Sequence, residues 1–328
     1  MKNLIVVLLF ICFEASLSAQ TKPVIRNLVF EGAGLRGIAY SGAVAEMEAR
    51  SMMGSIEKVG GTSSGAIVAL AISLGYSGKE IQDIISETNF RKFNDGRYFF
   101  IGGINRISKY FGWYRGKRFE NWLKKIIFQK TGNADITFEE LYEKKFKDLY
   151  ITGTCLNKQQ LVIFSRAAYP KMKVTDAIRI SMSIPLYFEA VFINKEGKII
   201  HHPKQTQGLD IMVDGGITGN FPIRMFDSLS QTNFSTLGFR IDSEEQIKND
   251  REGKSIASIP VGNLKQYLYA FYNIMIETLN RQPLTKADWQ RTISISDGSV
   301  KPRIRKLSAG EINILINNGR EAIKTYLN

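Results

Sequence analysis

Histidine is nearly missing from this chain: His201 and His202 are the only two among 328 residues. Cysteine is as scarce, with Cys12 and Cys155 alone, so a cysteine metal cluster is excluded. Proline is held to 8 residues, and no repeat, low-complexity tract or Pro/Gly-rich linker divides residues 21–328. That continuity is read as one domain over 20–328. Long apolar runs are also wanting. Residues 4–13 form such a run but stop at Glu14, short of the roughly 20 residues that cross a bilayer as a helix.

With Lys2 before it and Ser16-Leu17-Ser18-Ala19 behind it, that run reads as a secretory signal peptide over 1–19, cleaved near Ala19. Export is therefore expected, to a periplasm, an outer membrane surface or the medium. A lipid anchor on Cys12 fits less well, because bulky Leu9, Phe10 and Ile11 stand where small residues are wanted. Cleavage leaves Cys155 alone and excludes an intramolecular disulfide. Acidic residues are the minority, 31 against 44 basic, for a net charge of +13. The leader holds one lysine and one glutamate, so the surplus survives its removal. It favours anionic partners such as phospholipid headgroups, nucleic acid or acidic polysaccharide, without choosing among them.

What is present is a strand–glycine turn–helix pattern, twice over. Residues 27–31 (NLVFE) are a buried-strand candidate followed by Gly32-Ala-Gly-Leu-Arg-Gly37, and residues 38–50 have helical spacing. Residues 56–60 lead into Gly61-Thr-Ser-Ser-Gly65 and a helix over 64–74. Two such units imply parallel strands with crossover helices, an α/β fold. Further on, strands are expected over 149–156 and 160–165, joined at Asn157-Lys158, and a helix over 174–183 is stopped by Pro185. An extended pair flanks residues 195–197. A strand over 211–213 ends on Asp214-Gly215-Gly216, and another covers 235–241. Helices over 264–279 and 309–326 close the chain, the second with Ser308 and Glu311 as a capping box.

Three glycine turns thus follow strands, at the ends where α/β sheets gather their sites. The first has G-x-G-x-x-G spacing, but a dinucleotide site wants an acidic residue ending the second strand, which here ends in Gly60-Gly61-Thr62-Ser63. The other use of such a turn is to aim backbone N–H groups, and the positive end of the next helix, at a developing negative charge. The second turn, Gly61-x-Ser63-x-Gly65, has nucleophile-elbow spacing between strand and helix, though alone it reads equally as a glycine-rich turn. A Ser-His-Asp triad is disfavoured. The histidines sit beside Pro203 in a polar stretch, and only two strands precede the serine. Asp214, at a strand end before two glycines, is the best-placed carboxylate base; Asp-Gly-Gly is also a common turn.

Taken in this order, the three turns resemble the patatin-like phospholipase family of lipid acyl hydrolases. Residues 31–37 are similar to its oxyanion-hole loop, residues 61–65 to its nucleophile elbow and residues 214–216 to its aspartate motif. Residues 177–185 and 219–222 also look familial. The resemblance covers most of 24–225 and is weak over 226–328. Ala33 stands where the family usually has glycine, and Glu31 where it has aspartate. The resemblance implies a patatin-type three-layer α/β/α sandwich with a mostly parallel central sheet. It further implies a Ser63–Asp214 dyad, an oxyanion hole from the N–H groups of Gly32, Ala33 and Gly34, and no metal or cofactor. Arg36, Gly37, Gly61, Gly65, Gly215 and Gly216 would support these motifs, Arg36 by steadying its loop. The substrate implied is a phospholipid or lysophospholipid. A general carboxylesterase or thioesterase, and a lipid-binding protein without turnover, are the other readings.

Residues 90–130 hold twelve aromatic and eleven basic residues with only Asp95 and Glu120 against them. That mixture suits peripheral contact with an anionic membrane. Apolar spacing over 113–127, with Phe119, Trp122, Leu123 and Ile126, also fits core packing. Binding of single-stranded nucleic acid is the least favoured use.

Overall fold

The first strand, β1 (Asn27–Phe30), is buried at all four residues because it has parallel neighbours on both sides. That is why it reads as an unbroken apolar run rather than an alternating one. The computed structural model describes residues 23–96, 99–281, 284–300 and 306–328. The expected signal peptide lies outside the described residues.

Nine further strands occur among the described residues. They are β2 (Lys58–Gly61), β3 (Gly112–Tyr114), β4 (Asp148–Cys155), β5 (Gln160–Phe164), β6 (Leu186–Phe188), β7 (Val191–Ile193), β8 (Asp210–Asp214), β9 (Thr236–Asp242) and β10 (Thr292–Ser296). The main sheet runs β10-β9-β1-β2-β4-β8-β7, with β5 also paired to β4. The first five strands of that order are parallel, and β5, β7 and β8 join antiparallel. β3 and β6 form a separate parallel ladder.

Helices cover both faces. Those used below are α1 (Ala39–Ala49), α2 (Ser64–Ser73), α3 (Gly78–Glu87), α4 (Phe99–Tyr110), α5 (Lys117–Thr131), α6 (Phe138–Glu143), α7 (Val174–Ser181), α8 (Gly216–Gly219), α9 (Glu244–Glu252), α10 (Leu264–Asn280), α11 (Lys286–Gln290) and α12 (Ala309–Leu327). α1 packs along α12 and α3, and α10 packs on α8. α2 is buried at nine of its ten residues, as an all-round apolar helix must be. The result is the expected three-layer α/β/α sandwich, with Cys155 a free, buried thiol. Ser308 and Glu311 form the expected capping box at the start of α12.

Two details differ from the sequence reading. Trp113 belongs to β3 rather than to a helix, because Gly116 at φ +76° breaks the chain direction and α5 starts only at Lys117. After residue 225 the sheet gains a strand that was not expected, β10, which pairs with the expected β9 and extends the sheet beyond β1.

Topology brings the turns together. β2 stops at Gly61, opposite Ile151 of β4. β8 approaches along the other edge of β4 from the opposite direction and stops at Asp214, opposite Gly153. The turns after β2 and β8 therefore meet across Thr152.

Candidate active site

β2 delivers Ser63 by turning at once into α2. Ser63 takes φ +53° and ψ −120°, a conformation that residues with a side chain rarely adopt. Its N–H donates to Ser181 Oγ at 2.9 Å. The turn is closed by contact between backbones: a Cβ on Gly61 would lie 2.4 Å from the Gly65 carbonyl oxygen. A Cβ on Gly65 would lie 2.4 Å from the Phe30 carbonyl oxygen and 2.6 Å from that of Glu31. Because backbone cannot swing aside, Gly65→Ala is expected to cost at least about 2 kcal/mol of stability. An unshifted urea midpoint would show that the elbow opens without cost.

Ser63 Oγ donates to Asp214 Oδ2 at 2.8 Å and lies 3.4 Å from Met182 Sδ. Asp214 is 3% exposed, and its Oδ1 accepts the Gly216 N–H at 2.7 Å. Burial pushes its carboxyl up to about 7, against the lowering effect of the bonds from Gly216 and Ser63. Gly215 crosses Thr152 so closely that a Cβ would sit 2.2 Å from Thr152 Oγ1. Thr62 Oγ1 donates to the Gly219 carbonyl at 2.6 Å and has one proton only. Thr152 is therefore the donor in the 2.6 Å bond between the two threonine hydroxyls.

The first turn sits over this pair. Gly32 N–H donates to the Asn220 carbonyl at 3.1 Å, and Ala33 N–H donates to Ser64 Oγ at 2.9 Å. Ala33 has φ −133°, so this position does not need glycine; the left-handed residue is Gly34, at φ +56°. Gly34 opens a 3-10 turn, Gly34–Ile38, where the first N–H groups lack partners within the helix. Of the three expected oxyanion donors, one is thus committed to the fold and one to a hydroxyl that can rotate. Arg36 Nη1 lies 3.1 Å from Asp297 Oδ2 and ties the turn to the segment after β10. Gly37 leaves room for Ser64, whose Oγ would be 3.0 Å from a Cβ there. Glu31 reaches Arg240 Nη2 at 3.0 Å, and its Oε1 also accepts from Asn220 Nδ2 at 3.2 Å.

Several residues here were not legible as site residues. Ser181, Met182 and Ser183 all touch the pair: the first two meet Ser63, and the Ser183 carbonyl accepts the Asp214 N–H at 2.9 Å. The familial look of 177–185 was the available signal. Asn280 had none. Its Oδ1 accepts the Asn220 N–H at 2.5 Å, and its Nδ2 donates to the Gly216 carbonyl at 3.3 Å. Neither histidine bonds to Ser63. His202 stacks on Tyr110 at 4.3 Å, with its Nε2 3.3 Å from Glu189 Oε2.

Beside the pair is an apolar cavity of about 750 Å³, part of it open to solvent. Gly34 and Ser64 belong to its wall, which is otherwise built from residues such as Ile67, Phe90, Phe119 and Tyr187. Met182 touches both Ser63 and the cavity.

Sheet, turns and cavity define a class: an α/β protein with a serine hydroxyl held by a buried carboxylate at converging strand ends. A match to the Patatin-like phospholipase family spans residues 28–227, and the chain belongs to that family. The uncharacterized protein R571 of Acanthamoeba polyphaga mimivirus is 30% identical over 245 residues, which are 74% of this chain and 73% of R571. A protein of Invertebrate iridescent virus 6 named probable lipid hydrolase 463L is 26% identical over 204 residues, covering 60% of this chain and 62% of 463L. VipD from Legionella pneumophila shares the fold, with a TM-score of 0.57 at 15% identity over 93% of this chain and 67% of VipD.

Proposed function

We propose that this chain is a serine lipid acyl hydrolase of phospholipase A or lysophospholipase type, working through Ser63 and Asp214. The observation that carries the reading is the 2.8 Å bond from Ser63 Oγ to a buried carboxylate, beside an apolar cavity. Family membership supports hydrolysis of lipid esters. The aliphatic and aromatic wall of the cavity suits a fatty acyl chain over a short polar one.

The steps follow from the geometry. Asp214 takes the Ser63 proton as Oγ attacks the acyl carbonyl, and the carbonyl electron pair moves onto oxygen. Gly34 N–H receives this oxyanion. Ala33 N–H joins it by exchanging the Ser64 hydroxyl for the substrate oxygen, while Gly32 N–H stays on Asn220. The positive end of α2 adds to the same field. When the tetrahedral intermediate collapses, the ester oxygen leaves with the proton held by Asp214, and the acyl group remains on Ser63. Asp214 then takes a proton from water. The resulting attack releases the fatty acid and returns the proton to Ser63.

A long-chain alkyl fluorophosphonate should form a single adduct, located at Ser63 by peptide mass spectrometry. An adduct elsewhere, or none on active protein, would contradict the assignment. We also propose export, on the strength of residues 1–19 alone. Amino-terminal sequencing of protein recovered from the envelope or medium of its native cell should begin at Gln20, and recovery only from cytoplasm with Met1 intact would overturn it.

A further inference from the structure

At the β3–β6 ladder, two bulky residues hold backbone conformations that favour glycine. Phe111 has φ +63° and Leu186 has φ +65°, and the Leu186 N–H donates to the Phe111 carbonyl at 3.2 Å. The core takes up their side chains only in part: the Phe111 ring meets that of buried Phe192 at 6.2 Å, and much of both side chains still faces solvent. Phe111 is 40% exposed and Leu186 65%, and Ile104 on α4 is 62% exposed. Strained backbone of this kind persists where the surroundings over-determine it, and it collects at functional sites. The location fits, because Leu186 is followed directly by Tyr187 and Phe188, both in the cavity wall. Gly112, next to Phe111, pairs with Leu186 across the ladder.

The exposed charge at this ladder is basic, for Glu189, which follows β6, is buried 3.9 Å from Arg106 Nε and 3.3 Å from His202 Nε2. The two acidic residues of 90–130 are both engaged. Asp95 is buried and accepts the N–H groups of Gly116 at 2.7 Å and Arg118 at 3.0 Å, while Glu120 pairs with Lys117 at 2.7 Å. Lys109 near the end of α4 and Arg115 just after β3 are exposed, and no carboxylate partner is seen for either among the described residues. Exposed apolar side chains with two exposed cations in the same short segment, beside the wall of an apolar cavity, match one surface best: a bilayer with anionic headgroups. Shallow apolar insertion and electrostatic attraction act together there.

We propose that the Phe111–Leu186 ladder docks the protein on an anionic phospholipid bilayer. Ile104, Phe111 and Leu186 enter the acyl boundary, and Lys109 and Arg115 meet headgroup phosphates. Docking at this place sets the cavity against the membrane, so an acyl chain reaches it without crossing water. The purpose of the surface rests on the lipid acyl hydrolase reading; its detection does not.

The test is vesicle sedimentation with the purified chain carrying Ser63→Ala, which removes turnover from the measurement. Vesicles are phosphatidylcholine with and without phosphatidylglycerol. Binding is expected to favour the anionic vesicles. Asparagine tolerates positive φ, so Phe111→Asn with Leu186→Asn removes the apolar tips and keeps the backbone. That pair should weaken binding about tenfold or more. Lys109→Gln and Arg115→Gln should each weaken binding to anionic vesicles about fivefold. With Ser63 restored, the asparagine pair should hydrolyse a soluble short-chain ester at the unsubstituted rate and stay folded at the assay temperature. Undiminished binding by the asparagine pair overturns the proposal, as does a parent that ignores both vesicles or prefers a single-stranded oligonucleotide. Loss of soluble-ester turnover or of the folded state together with binding also overturns it, since the ladder would then be a prop of the site. A protein that hydrolyses no ester at all refutes the functional reading while the vesicle comparison still decides docking.

Discussion

Ser63→Ala is expected to lower hydrolysis of a soluble ester by about four orders of magnitude or more while the protein stays folded. The size follows from the chemistry: with Oγ gone no acyl-enzyme forms, and the cavity and N–H groups remain only to orient water. The fold should tolerate the change. The hydroxyl bonds to Asp214 and Met182, whereas the elbow is held by the Ser63 N–H on Ser181 and by glycine contacts that alanine at 63 does not disturb. Comparable urea midpoints would confirm this. Residual turnover above about one part in a hundred of the parent rate would place the nucleophile elsewhere.

Asp214→Asn should be nearly as damaging, with a loss of about three to four orders of magnitude, and it carries a second signature in pH. The base works only when ionised, and burial holds its carboxyl up at about 7. In the parent enzyme, kcat/KM should therefore fall about tenfold per pH unit below about 7. The sign for stability is opposite. A carboxyl raised in the folded state from its ordinary 3.8 contributes stability that is fully present below 3.8 and is lost as pH rises through about 7. Across that window the loss is roughly 4 kcal/mol. Asparagine escapes it, so the variant should be inactive yet more stable than the parent at about pH 8, with the advantage shrinking toward pH 4. A parent whose activity stays flat from about pH 8 to pH 5, or a variant less stable at pH 8, would contradict the assignment of Asp214 as the buried base.

The parts of the site that could be read in the sequence are those punctuated by glycine. Gly61, Gly65 and Gly215 mark places where backbone runs against backbone, and Gly60 and Gly216 places where it runs against the side chains of Met225 and of Asn220 and Asp214; such places leave a signature in residue type. The supports of the site leave none. Asn280 reaches the third turn from the end of a long helix, and any polar residue there would read as an ordinary surface position. The first turn was read as three equivalent donors, because a sequence cannot show that Asn220 already holds the Gly32 N–H. The aromatic stretch over 90–130 divides in the same way. Phe93 and Phe119 are core, Phe111 and Phe128 are exposed, and spacing alone does not separate them across the break at Gly116. β10 was missed because its alternating burial looks like a polar Ser/Thr stretch.

Fatty-acid release from mixed phospholipid vesicles tests the central claim most directly, comparing the mature chain with folded Ser63→Ala and Asp214→Asn proteins. The account predicts release by the parent chain and near-background values for both variants. Vesicle binding by the parent without release, or release that survives either substitution, would contradict a Ser63–Asp214 lipid acyl hydrolase.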